Sequence, residues 1–233
     1  MNYQLIIFDA DETLFDFKKS ERIALLHTLN DFDIQYDEAY HLKLYQEINQ
    51  AVWKELEQGL LTQAQLNVLR FSRLGKRLGI GDDKNRMAER YKEHLARASF
   101  LFDESLDLVK SLGKKYRLII LSNGLKDVQN GRLRKSVIAD YFEEILISEE
   151  EGIAKPDPAF FQLAFDRIGF TDRKGALIVG DSLSSDIQGG INFGIDTCWY
   201  RREAAPAEPH HSHPKPTYVI SELTELLKIL SIQ

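Results

Sequence analysis

Leu5-Ile6-Ile7-Phe8-Asp9-Ala10-Asp11-Glu12-Thr13 decides how this chain is read. A four-residue apolar run near the N-terminus, with no polar alternation, predicts a strand of a parallel sheet buried on both faces. Ligands of open parallel sheets gather in the crevice beyond the carboxyl ends of the strands. Asp9 and Asp11 stand there, two residues apart, a spacing that lets both point to one side of the chain. Three further runs repeat the arrangement. Leu118-Ile119-Ile120-Leu121 leads into Ser122-Asn123-Gly124, and Ala176-Leu177-Ile178-Val179 leads into Gly180-Asp181-Ser182. Ile145-Leu146-Ile147 ends at Ser148, with Lys155 just beyond. Four predicted strands therefore deliver polar groups to one edge.

The intervening segments complete the pattern. From Lys18 to about Ala98 the chain has no proline and is rich in Leu, Ala, Glu, Gln, Lys and Arg, which favour helix. Gly59 reads as a helix stop, Thr62-Gln63-Ala64-Gln65 as a capping box, and Gly79 to Asp83 as another break. Three or four helices with no strand are expected. After Phe102, helices at Leu106–Leu112, 125–140, Pro158–Ile168 and Ser184–Phe193 alternate with strands, the last two at Ile195–Tyr200 and Tyr218–Ile220. The expected fold is α/β, a doubly wound, mostly parallel sheet. Residues 1–16 and 100–233 would form its core, and residues 17–99 a helical cap inserted over the carboxyl edge. Glu203 to Pro216, rich in proline and histidine, reads as a loop.

Composition narrows the function. Thirty basic and thirty-six acidic residues give a net charge of −6, so a nucleic-acid polymer is not the expected partner. The single cysteine, Cys198, excludes a disulfide within the chain and fits a reducing compartment. Residues 1–8 lack the pattern of a secretory signal, and no apolar run approaches the ~20 residues of a membrane span. A cytoplasmic protein without a membrane partner is expected.

The four strand-end segments resemble, in order, the signature segments of the haloacid dehalogenase-like phosphohydrolases: Asp9-Ala10-Asp11-Glu12-Thr13, Ser122-Asn123, Lys155-Pro156, and Gly180-Asp181 followed by Asp186. The resemblance covers nearly the whole chain. It implies hydrolysis of a small phosphorylated metabolite, with Asp9 as nucleophile and Asp11 as acid and base. Lys155 would be the fixed positive charge, and Ser122 and Asn123 would serve phosphate binding. Mg²⁺ would be held by Asp9, Asp181, Asp186 and the backbone carbonyl of Asp11. Elementary chemistry agrees with these roles. A phosphate monoester needs its negative charge neutralised and its phosphorus held in line with a nucleophile, and a carboxylate can be that nucleophile. Two carboxylates ~4 Å apart repel by about 4 kcal/mol at an effective dielectric near 20, so the cluster calls for a cation. All-oxygen ligands favour Mg²⁺.

Taken singly, each residue has a plainer reading. Lys155 reads as a surface lysine, Asp186 as a helix start, and Ser122-Asn123-Gly124 as a turn. Their ordered coincidence is what points to a site. Thr13 reads as a support for the loop. Asn49 and Trp53, four apart, share a helix face; with Arg70 and Phe71 they are candidate substrate contacts, against a competing role in packing. His210, His211 and His213, set among prolines, read as solvated loop residues rather than a metal tract.

Within the family, Asn49, Trp53, Gly59, Thr62, Arg70 and Phe71, with Ile147 to Glu150 and Asp196 to Trp199, resemble the pyrimidine 5′-nucleotidase branch. That implies nucleoside 5′-monophosphates as substrates. A sugar-phosphate phosphatase, a phosphomutase, and a non-enzymatic receiver-type phospho-acceptor are the alternatives. Asp11 argues against a haloacid dehalogenase, which does not need its acid/base chemistry.

Overall fold

The computed structural model describes residues 3–80, 83–202 and 214–230. His210, His211 and His213 lie outside them. The chain divides into two compact units, Met1–Phe17 with Ser99–Gln233, and Lys18–Ala98.

Among the described residues, the first unit is built on six parallel strands: β1 Leu5–Phe8, β2 Arg117–Ser122, β3 Glu144–Ile147, β4 Ala176–Gly180, β5 Asp196–Tyr200 and β6 Tyr218–Ile220, in the order β3-β2-β1-β4-β5-β6. β1 is central, with Ile7 opposite Ile119 on one side and Ile178 on the other. Its four residues are fully buried because alternate side chains enter two different cores. Ile6 and Phe8 join Leu118, Ile120, Leu177 and Val179 on one face. They pack with Leu108, Val109 and Leu112 of helix Ser105–Leu112 and Leu226 of helix Glu225–Ile229. Leu5 and Ile7 join Ile119, Leu121 and Ile178 on the other face, against Phe160, Phe161 and Phe165 of helix Pro158–Arg167 and Phe193 of helix Gln188–Phe193. Helices on both faces of a parallel sheet make the fold doubly wound.

Two boundaries differ from expectation. The helix expected over 125–140 runs only from Lys126 to Arg132, followed by a short 3₁₀ turn at Ala139–Tyr141. Gly131 weakens its last turn, and the buried residues Leu133 and Ile138 are spaced by five, which a helical period of 3.6 cannot keep on one face. The helix expected from Ser184 opens instead as a π-helical turn at Leu183–Ile187, capped by the Ser182 hydroxyl, and becomes regular at Gln188.

The second unit consists, among the described residues, of helices α1 Phe17–Asn30 (from Lys18 onward), α2 Lys43–Glu57, α3 Gln63–Leu78 and α4 Lys84–Arg97, with a π-helical turn at Glu38–Leu42. Thr62 and Gln65 form the capping box that starts α3, and Gly79, with φ of 67°, ends it in the left-handed conformation. Its interior holds Tyr45, Phe71 and Tyr91, with ring centroids 5.0–5.8 Å apart. No helix among the described residues is long and apolar enough to cross a membrane.

Candidate active site

Four adjacent strands, β3, β2, β1 and β4, end together, and their carboxyl ends and following loops supply the polar groups. Asp9 follows β1 directly, and its N–H donates to the carbonyl of Val179 in β4 at 2.9 Å, so sheet pairing continues through the residue. The loop then folds back: the N–H groups of Leu14 and Phe15 both donate to the Ala10 carbonyl. Thr13, fully buried, donates its hydroxyl to Asp9 Oδ2 at 3.3 Å. This contact ties the loop to the end of β1.

Lys155 reaches the same point from the loop after β3. Its ammonium donates to Asp9 Oδ1 at 2.6 Å and to the Leu121 carbonyl, and lies 2.8 Å from Asp186 Oδ1. Burial alone would lower its pKa, but Asp186 and Asp9 outweigh burial and raise it, so the lysine stays charged. Asn123 holds the lysine's backbone from both sides. Its amide donates to the Lys155 carbonyl at 2.8 Å and its carbonyl accepts from the Lys155 N–H at 2.9 Å. The Asn123 side chain is thus engaged in placing Lys155.

Asp186 is fully buried and accepts from the Ser182 N–H at 3.0 Å. A Cβ on Gly180 would come within 2.3 Å of the Asp186 carboxyl carbon. The glycine of Gly180-Asp181 is there because another acid occupies its side-chain space.

Asp9, Asp181 and Asp186 each offer a carboxylate oxygen, all within 4.8 Å of one another. Burial pushes the Asp181 carboxyl up to about 8, with Asp9 and Asp186 adding to the rise. It likewise pushes Asp9 up to about 7, where Lys155 opposes it and Asp186 reinforces it. One ammonium therefore does not balance three clustered acids. An all-oxygen set with surplus negative charge fits a hard divalent cation. The carbonyl of Asp181 is fixed by the indole N–H of Trp199, in β5, at 2.8 Å.

Asp11 turns elsewhere. Its Oδ1 accepts from Arg132 at 2.6 Å and its Oδ2 from the Gln129 amide at 2.7 Å. Gln129 also donates to Ser122 Oγ at 2.8 Å. Ser122 is buried and accepts additionally from the Gly124 N–H. Sequence reasoning had no signal for Arg132, Gln129 or the role of Trp199.

Within the helical unit, Arg70 is only 4% exposed. Its guanidinium lies over the rings of Phe71 and Tyr91, at 5.4 and 5.0 Å, and donates to Asn49 at 3.3 Å and Asn67 at 3.0 Å. Asn49 in turn donates to Glu21. Trp53 is half-buried and Phe71 fully buried.

The sequence profile of the haloacid dehalogenase-like hydrolases matches residues 6–200. The chain belongs to this family. It is 36% identical to the pyrimidine 5′-nucleotidase PynA of Streptococcus pneumoniae over 99% of this chain and 96% of that protein. To the pyrimidine 5′-nucleotidase YjjG of Escherichia coli it is 32% identical over 99% of both chains. The crystal structure of the HAD-hydrolase YfnB of Bacillus subtilis, which is bound to magnesium, superposes with a TM-score of 0.91 at 35% identity, covering all of both chains. The α/β fold, the enzymatic nature of the protein and its place among the hydrolases follow from these relationships.

Proposed function

We propose that this enzyme is a Mg²⁺-dependent phosphatase that hydrolyses pyrimidine nucleoside 5′-monophosphates through a phosphorylated Asp9. The observation that carries the reading is the setting of Asp9: a buried carboxylate held by Lys155 at 2.6 Å and flanked by Asp181 and Asp186 in an unbalanced acidic cluster. The nucleotidases PynA and YjjG, similar over nearly their full lengths, support the substrate class.

In this reading an Asp9 oxygen attacks phosphorus, the P–O bond to the nucleoside breaks, and Asp11 gives the leaving oxygen its proton. Water then attacks the aspartyl-phosphate while Asp11 takes the water's proton, which releases inorganic phosphate and restores Asp9. Lys155 neutralises charge on the transferring group, and Ser122 with the backbone N–H of Asn123 binds its oxygens. Asp9, Asp181, Asp186 and the Asp11 carbonyl would hold Mg²⁺, which supplies positive charge to the phosphoryl oxygens. Trp53, half-buried in the helical unit, is the candidate for reading the substrate's base. Cys198 takes no part: it is buried, and burial pushes its thiol up to about 12. A cytoplasmic location suits this chemistry and the single unpaired cysteine.

Phosphate release from a panel of nucleotides and sugar phosphates, with and without Mg²⁺, tests the reading. Turnover of pyrimidine nucleoside monophosphates that stops on chelation is expected. Preference for a sugar phosphate, or conversion to a phosphorylated isomer, would move the protein to a sugar phosphatase or mutase. A stable phospho-protein without turnover would make it a receiver-type acceptor.

A further inference from the structure

Gln129 and Arg132 stand three apart on one face of the helix Lys126–Arg132, and both are buried, with 1% and 0% of their surface exposed. Neither lies in a sequence segment that points to chemistry. We propose that these two residues are positioning residues for proton transfer. They fix the carboxylate of Asp11, and through Gln129 they tie its orientation to that of the Ser122 hydroxyl. The proposal rests on the reading of Asp11 as acid and base.

The hydrogen inventory leaves one arrangement. Arg132 Nη1 carries two hydrogens and has two acceptors, Asp11 Oδ1 at 2.6 Å and Gln129 Oε1 at 3.0 Å. Because that guanidinium can only donate, Gln129 must turn its carbonyl oxygen toward it. The two hydrogens of Gln129 Nε2 then point to Asp11 Oδ2 at 2.7 Å and Ser122 Oγ at 2.8 Å. The reversed amide would set an oxygen against a carboxylate and a donor against a donor. Arg132 thus fixes Gln129, and both fix Asp11, each carboxylate oxygen having its own donor.

Ser122 is the other end of this chain of contacts. Its oxygen accepts from Gln129 and, at 3.2 Å, from the Gly124 N–H. With both lone pairs engaged, its one hydrogen is directed outward as a donor, the role a phosphate oxygen requires.

Two features of the surroundings are shaped to this device. A Cβ on Gly124 would lie 2.4 Å from the Gln129 side chain, so this glycine makes room for the amide. The Arg132 guanidinium lies over the rings of Phe15, at 5.8 Å, and Phe17, at 5.0 Å, which retain the charge in place without competing for its hydrogens. Ser99 donates to the Arg132 carbonyl at 2.8 Å and anchors the helix end.

The test compares two substrates in the Mg²⁺-loaded enzyme. A nucleoside leaves poorly without a proton, whereas p-nitrophenolate leaves well without one. The ratio of kcat/KM for p-nitrophenyl phosphate to that for a nucleoside 5′-monophosphate therefore reports proton donation in the first step, and it cancels losses common to both. Gln129→Met and Arg132→Met are expected to raise this ratio roughly tenfold over wild type. Arg132→Lys, which keeps a donor for Asp11, should return part of the way. Circular dichroism and thermal melting check the fold. If Arg132→Met does not fold, Gln129→Met and Arg132→Lys decide alone.

Asp11→Asn is the reference. A ratio unchanged in Asp11→Asn would overturn the role of Asp11 itself. A ratio raised in Asp11→Asn but unchanged in folded Gln129 and Arg132 variants would overturn the positioning proposal and leave Asp11 standing.

Discussion

Asp9 and Glu21 are both acids with less than a tenth of their surface exposed, one at the carboxyl edge of the sheet and one inside the helical unit. Their surroundings differ in balance. Each oxygen of Glu21 has an amide donor, from Gln46 at 3.2 Å and Asn49 at 3.3 Å, and Asn49 passes the connection on to Arg70. The charges of that network are joined into one hydrogen-bonded chain, acid to amide to guanidinium. Asp9 shares its single buried ammonium with Asp186, while Asp181 adds a third acid. Burial that is matched in charge supports a fold; burial that leaves surplus charge must be relieved by a bound proton or a cation. On this criterion the Asp9 cluster is the candidate place for chemistry, whereas Asn49 and Arg70, candidates for substrate contact, are held in a hydrogen-bonded network within their own unit.

The largest expected effect breaks the comparison at its acidic side. Asp9→Asn should lower kcat by more than about a thousandfold, since it removes the proposed nucleophile. In metal-free buffer at pH 8 the same variant should melt at a higher temperature than wild type. The sign follows from the shift. The folded pKa of Asp9 is raised from 3.8 to about 7, so above that pH the folded state carries a charge that the unfolded chain bears more easily. A lower melting temperature for the variant would show that Lys155 already balances Asp9.

The next effect concerns the cation. With Asp9 and Asp181 raised to about 7 and 8, the folded cluster holds more protons than the unfolded chain between about pH 4 and 8. Their contribution to metal-free stability therefore falls as pH rises through that window. Mg²⁺ should raise the melting temperature more at pH 8 than at pH 5, where protons compete for the same oxygens. Equal shifts at both pH values would place the ion elsewhere.

Arg70→Met probes the matched side. Losing the ring contacts and two hydrogen bonds should cost about 3 kcal/mol of stability in the helical unit, read by denaturant unfolding. If stability is unchanged and only nucleotide turnover suffers, Arg70 reads substrate and the comparison fails. Trp53→Ala, at a half-buried position, separates the same alternatives by reducing kcat/KM for a nucleotide more than for p-nitrophenyl phosphate. The smallest effect, about 1 kcal/mol, is expected for Thr62→Ala, which removes the cap of α3 without touching either network.

What the sequence disclosed follows from these physics. Strands buried on both faces read as unbroken apolar runs, so β1, β2 and β4 and their polar ends were visible in Leu5–Phe8, Leu118–Leu121 and Ala176–Val179. Thr62 and Gln65 announced α3 through their spacing alone. The partners of Asp11 did not show, because Gln129 and Arg132 in a polar helix resemble solvent-facing residues until the fold turns them inward. Gly124 looked like a turn residue, while its structural reason is the Gln129 side chain at 2.4 Å. The network around Arg70 was equally hidden: Asn49 of α2, and through it Glu21 of α1, reach Arg70 of α3, a relation no local pattern carries.

The central position of β1 has a consequence for how the protein is made. Ile7 must wait for Ile119 and Ile178 before it has both neighbours. At about 5–20 residues per second of synthesis, the first of these partners leaves the ribosome roughly 6–22 s after Ile7. During that interval Leu5–Phe8 is an unpaired apolar strand followed by acids with no lysine to face. The helices of Lys18–Ala98 emerge first and have local contacts of their own. A nascent chain stalled before residue 119 would thus hold a helical unit beside an inert, aggregation-prone leader, and no fragment short of Asp186 would carry the complete acidic cluster.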